Sequence, residues 1–302
     1  MGAEATGKPK EVTLRVLLLT AVLCLAGCGG SSDRAKQEPP PEPTPAPLPA
    51  PDAPLPREPS ALADALAVTT RALRAEIEAW RRDGDPAAGP PPDAVTLLAL
   101  HQQRVYRLIA SEQRLGDRVL ALLPPAVAGE ARDTVRARRA LLAIPPSGSR
   151  RPRIRAAAPE PADRLREHYA RAQRRFGVGW HVLAAVNFVE TGFGRLRNES
   201  TAGARGPMQF MPATWGAYGL GGDIRDPRDA ILGAANYLHA SGAPGSYRRA
   251  LFHYNHSPQY VEAVLTFARR IRRDERAFYA YYAWQVYVRR DGRVRRITGP
   301  GA

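Results

Sequence analysis

One carboxylate stands out for where it sits. Glu190 ends the apolar run WHVLAAVNFV that begins at Trp180, and Thr191-Gly192 follow at once. Trp180, Leu183, Asn187 and Glu190 fall on one stripe of a helix, at offsets of three, seven and ten residues. Glu190 therefore continues a largely buried face, where a carboxylate is costly without a role or a partner. It also lies at the negative end of the helix dipole. Burial and dipole both favour the neutral acid and raise its pKa. A carboxylic acid that keeps its proton near neutral pH can protonate the leaving oxygen of a glycosidic bond. The same position suits a helix-terminal ion pair with Arg195 or Arg197, and the helix alone leaves both readings open.

Two further motifs follow. Residues 203–212 (GARGPMQFMP) form a Gly-flanked loop feeding a new helix, with Pro212 suited to its first turn. His253-Tyr254-Asn255 closes another helix before Ser257-Pro258 opens the next. Glu-Thr-Gly, Gly-Pro-Met-Gln and His-Tyr-Asn, in this order and spacing, resemble the lytic transglycosylases with a soluble-transglycosylase, lysozyme-like domain. That family typically shows Glu-Ser, Gly-Leu-Met-Gln and Ala-Tyr-Asn. The resemblance covers roughly residues 160–285. It implies that Glu190 is the acid/base and that Tyr254 hydrogen-bonds or positions it. It also implies that Met208 and Gln209 line a sugar groove, and that Asn255 supports the Tyr254 loop or contacts sugar. Thr191 stands where the family has Ser, so its hydroxyl is expected to meet the substrate with an added methyl beside it. Pro207 replaces Leu, and His253 replaces Ala. From the residue types alone, Met208 and Phe210 could equally be core, and Asn255 a helix C-cap.

Most glycoside hydrolases use two carboxylates. Glu199, Asp223, Asp226, Asp229 and Glu262 are available here, but none sits in a matching motif, and Asp226 reads as the N-cap of a helix over 227–241. The family's reaction needs only one. The acid protonates the glycosidic oxygen between N-acetylmuramic acid and N-acetylglucosamine, then as a base deprotonates the muramyl C6 hydroxyl, giving a 1,6-anhydro product. Two alternatives stay open: a lysozyme-like hydrolase using one of these aspartates as water activator, and a non-catalytic, glycan-binding scaffold.

The elements that position these residues are helical. Leu165, Tyr169, Ala172 and Phe176 mark a helix ended by Gly177. Ser257-Pro258 opens a helix over 258–273. Phe278, Tyr279, Tyr281, Tyr282 and Trp284 are expected to pack a last helix. Residues 285–302 read as a basic tail, with a β-hairpin over 285–298 around Asp291-Gly292. Upstream, 60–144 reads as a small helical bundle. Its helices are expected over 60–82 (capped by Ser60), 94–123 (capped by Asp93) and 127–143. The expected fold is mainly α, with a lysozyme-like catalytic domain over 161–284 behind that bundle. Residues 145–160 read as a Pro/Arg linker, whose basic run at Arg150–Arg155 either touches anionic polymer or is simply solvated, the second being the favoured reading.

The amino terminus reads as an export signal. Val16–Ala26 is an apolar run of eleven residues broken only by Thr20. A bilayer span needs about 20 residues, so this suits a signal-peptide core over 1–27. Leu25-Ala26-Gly27-Cys28 resembles the bacterial lipobox, which implies cleavage before Cys28 and lipid on its thiol. The chain would then be held at the extracytoplasmic face of the cell membrane. Eleven prolines in 39–59 complete an anchor-and-linker segment over 28–59. Extended at about 3.1 Å per residue, those 21 residues would reach roughly 65 Å.

Bulk composition constrains the partners. The 302 residues carry a net charge of +15, nearly all from arginine. That admits an anionic cell wall, a membrane surface or nucleic acid, but no nucleic-acid fingerprint is present. Cys24 and Cys28 are the two cysteines, both in the targeting segment, so they build no disulfide framework. The six histidines show no metal-ligand spacing, and no phosphate-binding Gly loop occurs. No cofactor is expected. The partner expected is the peptidoglycan strand.

Overall fold

The computed structural model describes residues 47–145, 154–290 and 293–302. The signal segment, Cys28, the first part of the Pro-rich stretch, Arg150–Arg153 and the Asp291-Gly292 turn lie outside the described residues. As expected, the architecture is mainly α. The described residues form eleven helices and one two-stranded antiparallel sheet. Among them, no helix is long and apolar enough to cross a membrane.

The first four helices are α1 (Pro59–Asp83), α2 (Asp93–Ser111), α3 (Gln113–Leu122) and α4 (Pro125–Leu142). Pro59 starts α1 one residue before the expected Ser60 cap, and Asp93 is the first residue of α2 rather than its cap. The single helix expected over 94–123 is two helices. The chain leaves helical geometry at Glu112 (φ −103°, ψ 86°), and α3 packs against α1 and the end of α2. Gly116 permits this approach: a Cβ there would lie 2.1 Å from the Ile109 carbonyl oxygen. Apolar periodicity runs straight through such a break, which is why the pattern gave no warning.

The remaining helices are α5 (Ala162–Phe176), α6 (Trp180–Thr191), α7 (Pro212–Tyr218), α8 (Pro227–Ala240), α9 (Tyr247–Tyr254), α10 (Pro258–Arg273) and α11 (Arg276–Ala283). Strands β1 (Tyr287–Arg290) and β2 (Arg293–Arg296) form the hairpin. Cap chemistry sets several boundaries. Gly177 ends α5 in the left-handed region (φ 70°). Asp226 accepts from Asp229 N at the start of α8, and Ser257 accepts from Tyr260 N at the start of α10.

All the described residues belong to one compact unit. Helix α10 packs against both α4 and α6, so one hydrophobic core runs through the early helices and the helix that carries Glu190. Buried polar links join the two parts. Glu130 on α4 takes Arg74 from α1 (2.7 Å) and Arg270 from α10 (3.0 Å) on one oxygen. Gln103 donates to the Gln285 carbonyl (2.7 Å) and accepts from its N–H (2.9 Å). The late aromatics pack inward as expected. Phe188 of α6 stacks on Tyr281 (5.1 Å between centroids) and meets Phe267 edge-on (5.0 Å). This cluster fixes the rotation of α6 and hence the direction of its last turn.

Both expected linkers lie against the body where they are described. Asp52 accepts from Arg296 (3.1 Å) and Arg57 donates to Glu112 (2.6 Å), so residues 47–58 form a strap rather than a free spacer. Residues 155–157 pair antiparallel with 195–197: Ala157 N donates to Arg195 O (3.0 Å) and Arg197 N to Arg155 O (2.9 Å). The end of this linker thus braces the loop that follows Glu190, with the side chains of residues 155–158 exposed.

Candidate active site

Glu190 occupies the last turn of α6; the residue as a whole is half-buried, while its carboxyl group is enclosed. Its Oε1 accepts a 2.7 Å hydrogen bond from the Tyr260 hydroxyl, presented by the first turn of α10. Burial pushes the Glu190 pKa from the ordinary 4.5 up to about 7, while the Tyr260 hydrogen bond pulls the other way. No cation among the described residues offsets the burial. Arg195 lies over the Tyr282 ring (5.0 Å) and donates to Gly192 O (3.2 Å); Arg197 donates to Ala158 O (3.2 Å). The ion-pair reading of Glu190 is therefore not realised. The Tyr260 phenol is itself pushed far up by burial, so it stays a donor. With Oε1 taken, the carboxyl proton belongs on Oε2.

Immediately after Glu190 the backbone reverses through three left-handed residues, Gly192 (φ 59°), Phe193 (φ 62°) and Gly194 (φ 83°). A non-glycine residue there is strained, and Phe193 is held by the aromatic cluster around Phe278 (5.5 Å) and Phe188 (5.5 Å). The next turn is Gly206–Gln209, closed by Gln209 N donating to Gly206 O (3.1 Å) and flanked by the Arg205–Phe210 bridge. Two side chains grip its consecutive carbonyls. The Thr191 hydroxyl donates to Pro207 O (2.6 Å), and the Tyr254 hydroxyl donates to Met208 O (2.6 Å). The residue next to Glu190 thus fixes one end of the turn, and a second tyrosine fixes the other.

Residues 167–273 match the Transglycosylase SLT domain.

A membrane-bound lytic murein transglycosylase F of Thiobacillus denitrificans is 39% identical over 74 residues. That stretch is 24% of this chain, and the chain spans only 15% of that relative. No solved structure matches.

Within the SLT segment, the structure places the expected site residues as follows. Tyr254 does not hydrogen-bond Glu190: its hydroxyl is spent on the Met208 carbonyl, and the bond to Glu190 comes from Tyr260. The Met208 side chain is wholly buried (0% exposed), so its thioether is core rather than groove wall. Thr191 is 1% exposed, and its hydroxyl also accepts from Gly194 N (2.9 Å). It ties loops together and has no face left for substrate. Gln209 sits at φ 50°, with its amide donating to Gly206 O (3.0 Å) and Asn198 O (3.2 Å). Asn255 is the C-cap of α9, exposed, with its N–H on Leu251 O.

Beside Tyr254 an aromatic ledge runs along the SLT segment. Phe210, Tyr237 and Tyr254 lie within 5.6–6.4 Å of one another, Trp215 adjoins Phe210 (5.2 Å) and Tyr218 adjoins Tyr237 (4.8 Å). Phe210 is core (2% exposed) and backs the ledge, so the faces open to a sugar are those of the half-buried Trp215, Tyr218, Tyr237 and Tyr254. Glu199, Asp223, Asp226, Asp229 and Glu262 are engaged elsewhere. Asp226 caps α8, Asp229 accepts from Asp223 N, and Asp223 accepts from Arg225 N. Glu199 meets Arg205, and Glu262 meets Arg136 and Arg248. No second carboxylate contributes to the Glu190 environment.

The partner of Glu190 that sequence reasoning missed is Tyr260. Its signal was present but faint: it is the third residue of a helix whose Ser-Pro cap had been recognised, just after the His-Tyr-Asn motif.

Proposed function

We propose that this chain is a peptidoglycan lytic transglycosylase in which one carboxyl group, Glu190, serves first as acid and then as base. The observation that carries the proposal is the state of Glu190: a buried carboxyl with a pKa of about 7, oriented by a phenol and opposed by no cation, in a segment that matches the Transglycosylase SLT domain. Near neutral pH such a group exists in both protonation states, which one residue needs if it is to donate a proton and then accept another.

In this reading Oε2 of Glu190 protonates the oxygen between N-acetylmuramic acid and N-acetylglucosamine, and that C–O bond breaks. The resulting carboxylate then accepts the proton of the muramyl C6 hydroxyl as its oxygen closes on C1. Glu190 ends protonated, as it began, and no water is consumed. The hydrogen bond from Tyr260 to Oε1 makes Tyr260 a positioning residue. The clamped turn and the aromatic ledge would hold the strand, with Gln209 and Asn255 at its rim.

We also propose that export and lipidation at Cys28 hold the domain at the extracytoplasmic membrane face. The relative's name says that it is membrane-bound, in keeping with this placement.

The test is mass spectrometry of digested peptidoglycan. Anhydromuramyl ends are expected from the wild type, with at least about a thousandfold loss in Glu190→Gln. Reducing ends would point to a hydrolase, and full activity in Glu190→Gln would overturn the assignment.

A further inference from the structure

Beside the clamped turn lies a concave pocket of about 430 Å³, with Arg155, Arg197, Arg205, Arg225, Glu199 and Pro207 among its lining residues. Its lining contains no aromatic ring, unlike the ledge at Tyr254, so it is not built to stack on a sugar face. Its chemistry is cationic, with four arginines against one glutamate.

Two features show that this charge is not spent internally. Arg155 and Arg197 stand opposite each other across the antiparallel pairing in which Ala156 faces Leu196. Like charges directly across such a pair repel, and among the described residues no carboxylate lies within ion-pair distance of either. The backbone nonetheless holds them there: Arg155 N donates to Asn198 Oδ1 (2.7 Å), and Arg155 O accepts from Arg197 N (2.9 Å). The second feature is the Glu199 pair. Its Oε1 lies 2.9 Å from Arg205 Nε and 3.6 Å from an Arg225 nitrogen. Yet Arg205 Nε is buried and makes no hydrogen bond, because its N–H does not point at that oxygen. The pair is electrostatic only, and one glutamate against Arg205 and Arg225 leaves the pocket a net positive charge.

We propose that this pocket binds a carboxylate of the peptides carried on the glycan strand, and so makes the protein select peptide-bearing over bare strands. The proposal rests on the glycan-strand reading of Glu190. The pocket touches Pro207, whose carbonyl is gripped by the residue next to Glu190, so a bound peptide carboxylate would fix the strand's register at the acid. Guanidinium groups suit carboxylates because they donate in a planar fork.

The test uses the full chain carrying Glu190→Gln, so that strands are bound without being cut. Peptide-bearing strands are expected to bind about tenfold more tightly than strands stripped of peptide, the size that two partly screened ion pairs supply, and salt should erase the difference. Adding Arg155→Gln and Arg197→Gln should remove the preference while binding to stripped strands stays the same. The corresponding lysine pair should restore part of it. Equal binding of both strand types, or a preference that survives the glutamine pair, would overturn the proposal. Free stem peptide and inorganic phosphate, each titrated by calorimetry, read the pocket without any glycan. Peptide binding that depends on Arg155 and Arg197 supports the pocket even if strands are not bound, in which case only the glycan reading fails. Phosphate binding as tight as peptide binding would assign the site to a different anion and overturn the proposal.

Discussion

Glu190→Gln should make the protein more stable, and only at the pH where the enzyme is expected to work. The carboxyl ionises near 4.5 in the unfolded chain and near 7 in the native fold. A raised pKa means that the native state holds its proton more tightly than the unfolded state. Its contribution is therefore fully present below pH 4.5, falls as pH rises between 4.5 and 7, and is lost above 7. At about 1.4 kcal/mol for each tenfold change in proton affinity, a rise from 4.5 to about 7 corresponds to about 3 kcal/mol. Glutamine keeps an oxygen to accept from Tyr260 and carries no charge, so it escapes this loss. Urea unfolding of both proteins from pH 4 to pH 8.5 is the assay. All other titrating groups are common to the two and cancel in the difference. The variant should match the wild type at pH 4, lead by about 2 kcal/mol at pH 6 and by about 3 kcal/mol at pH 8. Parallel curves with no pH-dependent gap would show that Glu190 ionises normally in the fold. The account of a buried, unpaired acid would then be wrong, whatever the activity of the variant.

Three further substitutions probe the elements around that acid. Tyr260→Phe removes the hydrogen bond that favours the carboxylate, so the pKa governing the pH–rate profile should move above 7 and kcat should fall with KM little changed; a profile with unmoved limbs would reduce Tyr260 to packing. Thr191→Val strands the Pro207 carbonyl and the Gly194 N–H in the interior and should cost about 2–4 kcal/mol in urea unfolding, whereas Thr191→Ser keeps the hydroxyl and should cost only about 1 kcal/mol. Gly206→Ala meets both a left-handed backbone (φ 74°) and the Ile224 carbonyl oxygen at 1.8 Å from the new Cβ; it should cost more than about 3 kcal/mol, seen as lost soluble expression or a sharply lower Tm.

What the sequence made legible, and what it hid, follows from the range of the forces involved. Helices, caps and left-handed glycines are written locally: Asp226 and Ser257 cap the helices they precede, and Gly177 ends α5, because each acts within a turn of its own position. The placement of Glu190 at the end of its helix was legible for the same reason, while its reading as an acid/base came from the order of the three motifs and not from the helix. The identity of its partner was not local. Tyr254 and Tyr260 lie six residues apart on successive helices, and both are close enough for their phenols to feel the charge of Glu190. Which one reaches Oε1 depends on how α10 is seated between α4 and α6, and on the Met208 carbonyl capturing the Tyr254 hydroxyl. Both are tertiary facts. The same holds for Thr191 and Met208, which motif position alone drew toward the substrate and packing drew into the core. The brace at 155–157 was hidden more completely. A Pro/Arg-rich stretch carries no strand periodicity, and its pairing with 195–197 arises only because the reversal at Gly192–Gly194 turns the chain back toward it. That reversal begins at the residue that caps the Glu190 helix. The turn that follows the acid therefore also sets two arginines facing each other.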